Sequence, residues 1–243
     1  MSVSHSLFLG FVLHRRDYRD TSLLLELFGI GQGRLAAIAK GARRPRQIAS
    51  ALLQPFQPLW LAVSGRGEVK TLTAVEAAGP PFALIGPALV SGFYLNELLL
   101  RLLARQDPHD RLFVFYQAAL AGLAEGAELE RSLRRFECQL LAELGYGLNL
   151  ERVADDGSPV MPERVYIYDC ESGPRALDSG AQGPRVSGAT LLALARDDAL
   201  DPVQRREARN LLRHALAPHL GGRPMQSREL HRHWFGRAPC PKP

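Results

Sequence analysis

The residues best placed to do chemistry are cations. Arg34, Lys40, Arg43, Arg44 and Arg46 fall within thirteen positions, and Arg66 and Lys70 follow around a glycine-rich turn. No Asp or Glu occurs from Leu27 to Gly67, a run in which average acidic content would place about four. Such a cluster neutralises phosphates and releases their counterions, which is the electrostatic basis of nucleic-acid binding. Overall charge points the same way. The 243 residues carry +5, with ten Lys/Arg against five Asp/Glu in residues 1–80 and twenty against twenty thereafter. The whole excess lies in the first third, where a polyanionic partner is expected. The competing reading is a basic loop that meets only water. Arginine outnumbers lysine by 27 to three, so its abundance alone carries little weight.

Binding of single strands also uses aromatic platforms. Tyr18 and Trp60 are the better candidates, and Phe28 and Phe56 the weaker ones, since strand aromatics more often fill a core. Bond-making chemistry finds less support. Glycines 29, 31 and 33 imitate a dinucleotide loop but lead into a strand pattern instead of a helix N-terminus. No GxxxxGK[ST] exists. His231-x-His233 lacks an acidic or thiol partner at useful spacing, Asp155-Asp156 reads as a solvated turn, and the basic region has no converging carboxylates for a nuclease metal. Cys138, Cys170 and Cys240 form no CxxC pair, so neither a disulfide framework nor a cysteine zinc site is expected, and no cofactor is. The chain reads as non-enzymatic. Its longest apolar stretch, 84–103, is broken by Asn96, Glu97 and Arg101 and reads as a buried helix of a cytoplasmic protein.

The elements that must position these cations follow from periodicity. Residues 6–14, 22–28, 34–40, 56–63 and 69–76 are strand-like, with 22–28 and 34–40 joined as a hairpin through Gly29–Gly33. In the last strand Val69, Thr71, Thr73 and Val75 should share one face. Five strands with a polar insertion after the third fit a small closed barrel of the oligonucleotide-binding type, although an SH3-like barrel or an open sheet fits the count too. Gly79-Pro80-Pro81 marks the boundary. Helical periods follow at 84–105, from Asp110 as a cap, at 128–144, at 187–199, and at 201–217 with Asp201 as N-cap and Pro202 at the first position. An irregular insertion at about 151–183 holds one strand, 164–169. The fold class is α+β: an oligonucleotide-binding barrel over 1–80, then a mostly helical domain over 81–243.

A second basic feature lies in that helical part. Arg131, Arg134, Arg135 and Cys138 share one helical face beside Leu133, Phe136 and Leu140. This stripe is either a solvated face or a dock for an acidic, partly apolar peptide, with Arg134 as the main carboxylate partner.

The residues Phe11-Val12-Leu13-His14, Thr21-Ser22-Leu23, Ala39-Lys40-Gly41-Ala42-Arg43, Leu53-Gln54-Pro55-Phe56-Gln57-Pro58-Leu59 and Gly65-Arg66-Gly67-Glu68-Val69-Lys70-Thr71-Leu72 resemble the RecO recombination-mediator family. The later stretches Tyr94-Leu95-Asn96-Glu97-Leu98-Leu99, Leu133-Arg134-Arg135-Phe136-Glu137, Leu144-Gly145-Tyr146-Gly147, Leu220-Gly221-Gly222-Arg223-Pro224 and Ser227-Arg228-Glu229-Leu230 agree in order. The resemblance implies binding to single- and double-stranded DNA and annealing of complementary strands. It further implies work with RecR to load RecA on DNA coated by single-stranded-DNA-binding protein. Bacterial proteins of that kind resemble one another in ending with an acidic tail closed by an apolar residue, and this tail is the peptide expected at the arginine stripe. A cytoplasmic, nucleoid-associated place follows. Some members carry a four-cysteine zinc site after the third helix. Here Cys170 stands alone in that stretch, so zinc should be missing and residues 151–183 should be held by packing alone. An RNA-binding barrel and a cryptic nuclease remain as alternatives.

Overall fold

The computed structural model describes residues 7–44, 48–126, 128–177 and 179–235. Five strands, β1 (Phe8–Tyr18), β2 (Ser22–Gly29), β3 (Gly33–Ala39), β4 (Leu59–Ser64) and β5 (Val69–Ala77), close a barrel in the order β1-β2-β3-β5-β4. All pairs are antiparallel except β3 with β5. This is the oligonucleotide-binding architecture expected from the strand count. Alternation in β2 and β3 explains the core: Leu23 opposes Ala39, Leu25 opposes Ala37, and Leu27 opposes Leu35, all facing inward. A short helix α1 (Ile48–Leu52) sits in the β3–β4 insertion, and Ala49, Leu52 and Leu53 close one side of that core.

Two bulges alter the expected faces. In β5 the register slips so that Ala62 opposes Ala74 while Val63 opposes Leu72, leaving Thr73 unpaired. One extra residue reverses the alternation. Leu72 and Val75 therefore both pack on the core, and Val69, Thr71, Thr73 and Val75 do not form one face. In β1 the extra residue is Leu13.

The chain divides into two compact units, one running to Gly126 and taking in the chain from Pro224, the other Ala127–Arg223. The strands end at Ala77 as the prolines require, yet the first unit continues through α2 (Gly86–Leu102), α3 (Asp110–Glu125) and the returning α7 (Gln226–Phe235). The reason is aromatic. Phe11 and Phe28 face outward from the barrel and pack on Phe113 and Tyr116 of α3 with ring centroids 5.3–6.1 Å apart. The Leu13 carbonyl accepts from Asn96 Nδ2 at 2.9 Å, and Asn96 Oδ1 accepts from the buried Tyr116 hydroxyl at 2.6 Å. Thus Asn96, a polar break in an apolar helix, satisfies the bulge.

Asp110 does not cap α3. His109 holds the cap position, and the Asp110 carboxylate instead accepts from the Gly31 amide at 2.6 Å. A tertiary donor outcompetes the local one because the β2–β3 turn lies against this segment. There Gly33, at φ +65°, has no room for a Cβ against the Asp107 carbonyl, which accounts for one glycine of the false dinucleotide loop.

The second unit begins with α4 (Leu129–Glu143). A small sheet follows, in the order β7 (Gly173–Arg175), β6 (Val165–Asp169), β8 (Arg185–Ser187). Helices α5 (Gly188–Arg196) and α6 (Pro202–Leu216) complete the unit. Asp201 caps α6 with a full capping box, and Pro202 opens it, as expected. Tyr166, Tyr168, Val186, Leu191 and Leu211 share its core with Leu150, Val153 and Val160. The insertion is not held by packing alone. Asp155 meets Arg175 at 2.6 Å and also accepts from the Ala176 amide, and these bonds hold its carboxyl below the usual range. Asp155 thus lies in the exposed turn the sequence suggests and serves there as a tertiary clasp as well. Among the described residues no three His, Cys, Asp or Glu side chains gather as a metal site, and no helix is long and apolar enough to cross a membrane.

Candidate nucleic-acid interface

The outward rows of the barrel follow from register. With Leu23, Leu25 and Leu27 inside, Leu24 and Glu26 face out, as do their partners Arg16 and His14 on β1 and Ile38 and Ala36 on β3. Tyr18 pairs with Ser22 at the end of this surface, and Lys40 follows Ala39 beside it. The β1–β2 and β3–α1 connections meet at the Ala39 end of this surface, the β4–β5 connection adjoins it where Val69 pairs with Ala36, and these carry most of the cations singled out by sequence.

The cations differ in availability. Lys40, Arg44 and Arg66 are exposed and have no acidic partner within salt-bridge distance among the described residues. The others are engaged. Arg34 pairs with Glu26 at 3.0 Å and donates from Nη1 to the Leu100 and Leu103 carbonyls at 2.5 and 3.1 Å, closing the end of α2. Arg105 reaches the other Glu26 oxygen. Arg43 pairs with Asp17 at 2.9 Å, and the Lys70 ammonium donates to the Gly65 carbonyl at 3.2 Å. Arg46 lies outside the described residues.

Of the aromatics, Phe28 and Phe56 are buried; Phe56 packs against Phe93 with the rings tilted, centroids 5.2 Å apart. Tyr18 is half-buried on the basic surface, with the Arg19 guanidinium 5.4 Å from its ring centre. Trp60, 41% exposed, stands opposite Leu9 and Glu76 on the β1-β4-β5 side instead. Arg16 belongs to the candidate surface and escaped the sequence reading, which ended the first strand at His14. Alternation carried four residues further places it outward between His14 and Tyr18. Its neighbour Arg15 turns to the Ser50 and Leu53 carbonyls at the end of α1.

In the second unit, Arg131, Arg134 and Arg135 do line one cavity, of about 150 Å³, with Cys138, Ala193, Leu194, Asp197 and Leu200. Leu133, Phe136 and Leu140, expected to offer the apolar pocket, are buried in the core instead. The apolar walls come from Cys138, whose thiol is pushed up to about 12 by burial and by Glu137, and from the α5 end. Arg134 is only 8% exposed and pairs with the buried Glu137 at 2.8 Å. Arg135 is 54% exposed and lies 3.4 Å from Asp197. Arg131 bridges Glu128 at 2.8 Å and Asp197 at 3.3 Å, which raises its pKa.

Comparison with known proteins covers both units. The family model described as recombination protein O N terminal matches residues 4–81, and that described as recombination protein O C terminal matches residues 86–229. The protein named DNA repair protein RecO of Methylococcus capsulatus is 52% identical over 224 residues, 92% of this chain and 91% of that protein. Proteins of the same name from Nitrosospira multiformis and Nitrosococcus oceani are 45% and 48% identical, each over 91% of this chain and at least 90% of their own length.

Proposed function

The chain belongs to the recombination protein O family, and from that premise we propose that it is a non-catalytic DNA-binding mediator of recombinational DNA repair. The observation that carries the reading is the set of exposed cations Lys40, Arg44 and Arg66 of the barrel in residues 1–80, which have no acidic partner among the described residues. These bind the backbone of single- and double-stranded DNA, with Arg16 beside them and Tyr18 within reach of a base. Annealing needs neutralised phosphates and bases left accessible, and no bond is made or broken. In the same reading the protein works with RecR to load RecA on strands coated by single-stranded-DNA-binding protein, whose acidic C-terminal tail docks at the arginine cavity of the second unit. Burial of Arg134 against Glu137 moves the first carboxylate contact to Arg135 and Arg131, with Arg134 as the charged floor.

The test is DNA affinity as a function of salt. Lys40→Glu, Arg44→Glu and Arg66→Glu combined should abolish binding and annealing. Single alanine changes should each lower the log–log salt slope by roughly 0.7–0.9. The Arg34→Ala slope should stay unchanged, since that guanidinium is engaged inside the protein. Equal binding by the triple variant would remove the barrel from the interface, preference for RNA over DNA would favour the RNA-binding alternative, and cleavage of labelled DNA with Mg²⁺ would reinstate a nuclease.

A further inference from the structure

The arginine cavity already contains a carboxylate. Asp197 is the C-cap of α5 and holds φ 56°, ψ 39°, a left-handed conformation that costs a side-chain-bearing residue some strain and that glycine would adopt freely. Its two carboxylate oxygens are divided between two cations. Oδ1 lies 3.3 Å from Arg131 Nε and Oδ2 lies 3.4 Å from Arg135 Nη1, while its backbone carbonyl accepts from Arg131 Nη2 at 2.6 Å. It lines the same cavity as those arginines and Arg134, against the apolar walls of Cys138, Leu194 and Leu200. Beneath them Arg134 Nε is buried and makes no hydrogen bond. The cavity thus shows weakly held cations, a buried Arg134 Nε whose nearest acid, Glu130, stands 3.9 Å away, apolar walls, and two lining acids, Asp197 and Asp198, of which Asp197 holds the arginines from a strained backbone.

We propose that Asp197 is the specificity-determining residue of this cavity: an internal carboxylate that occupies Arg131 and Arg135 in the free protein and that an acidic, apolar-ended peptide must displace. The inference rests on the reading of the cavity as a peptide dock given above. Its physical basis is competition. The Asp197 carboxylate is tethered to its arginines, so its effective concentration is high, but both contacts exceed 3 Å and both sites are partly exposed, which makes them weak. A ligand with one carboxylate gains little by replacing it. One that brings several carboxylates to both arginines, and an apolar end to the Leu194 and Leu200 wall, gains enough. Asp197 therefore suppresses stray anions and sets the threshold for the cognate tail.

The discriminating variant is Asp197→Asn, which keeps the size of the side chain and suits the left-handed conformation, so the cap and its backbone bonds to the Ala193 and Leu194 carbonyls are retained. Anisotropy is measured on the full-length protein with a labelled peptide of several aspartates closing on an apolar residue with a free carboxylate. Asp197→Asn should bind it about three- to tenfold more tightly than wild type. It should also gain affinity for free acetate, read as competition with the peptide. Asp198→Asn, the same charge change at a residue that lines the cavity but pairs with neither arginine among the described residues, should gain less, and the Asp197→Asn gain should vanish in an Arg131→Ala/Arg135→Ala background. Unchanged or weaker binding by Asp197→Asn overturns the proposal, as does a gain that survives loss of both arginines. If Arg131→Ala/Arg135→Ala binds the peptide as tightly as wild type, the dock itself lies elsewhere. If that variant loses the peptide while Asp197→Asn gains nothing, the dock stands and only the internal competitor falls.

Discussion

The barrel rim and helix α4 each present a group of cations that looks alike in sequence, and the two groups behave oppositely. On the rim Lys40, Arg44 and Arg66 are exposed without acidic partners among the described residues. On α4 Arg131 pairs with Glu128 and Asp197, Arg134 with Glu137, and Arg135 with Asp197. The difference lies in where acids stand. No acid interrupts residues 27–67, whereas α4 places Glu128, Glu130 and Glu137 three or four positions from its arginines, the spacing at which side chains on a helix meet. A count of cations therefore measures potential, and the spacing of acids decides how much of it reaches a ligand. The same rule operates within the rim, where Arg34 and Arg43 lose their freedom to Glu26 and Asp17.

This contrast breaks most sharply at Glu137. With 1% of its side chain exposed it is the nearer of two acids on the nearly buried Arg134, Glu130 lying 3.9 Å from the Nε, so Glu137→Ala should cost about 3 kcal/mol by leaving a buried charge with one distant partner. Urea unfolding followed by circular dichroism checks it, and a loss under about 1 kcal/mol would mean that Arg134 is as free as the rim cations. Next in size is Asn96→Ala, which removes one hydrogen bond from the Leu13 carbonyl and one from the Tyr116 hydroxyl together. It should cost about 2–4 kcal/mol, and Tyr116→Phe about 1 kcal/mol, in the same assay.

A smaller effect tests the acid that holds α7. Burial alone would push the Glu97 carboxyl up, but hydrogen bonds from the Ser227 amide and hydroxyl and from the Gln226 amide, with Arg101 beside it at 2.6 Å, outweigh burial and hold it below the usual carboxylate range. A lowered folded-state value stabilises above the unfolded pKa and is lost as pH falls through the folded one. Amide exchange in α7 should therefore stay slow as pH falls through the ordinary carboxylate range and quicken only in stronger acid, and Glu97→Gln should quicken it already at neutral pH. Smallest of all is the stability change in the rim variant that should abolish DNA binding. Lys40→Glu, Arg44→Glu and Arg66→Glu should each move the urea midpoint by the equivalent of less than about 0.5 kcal/mol, because exposed unpaired charges hold nothing in place. A larger loss would show that the rim is as structurally committed as α4.

Much of the fold was legible in the sequence because its signals are local. Period-two leucines marked β2, Gly29–Gly33 marked the hairpin, and Asp201-Pro202 marked the start of α6. What escaped were single-residue departures from regularity. The unpaired Thr73 reversed one strand face, and β1 ran four residues beyond His14 and so carried Arg16 onto the candidate surface. Neither leaves a mark in composition, since a bulge is a property of pairing between strands.

The sequence by itself determined the barrel and its helical partner, the acid-free basic segment, and the arginine stripe on α4, because each depends on residue type and short-range period. Only the tertiary structure decided which cations remain free. Asp197 reaches Arg131 across 66 residues and Glu26 reaches Arg105 across 79, and a Coulomb contact depends on distance in space, to which chain separation is no guide.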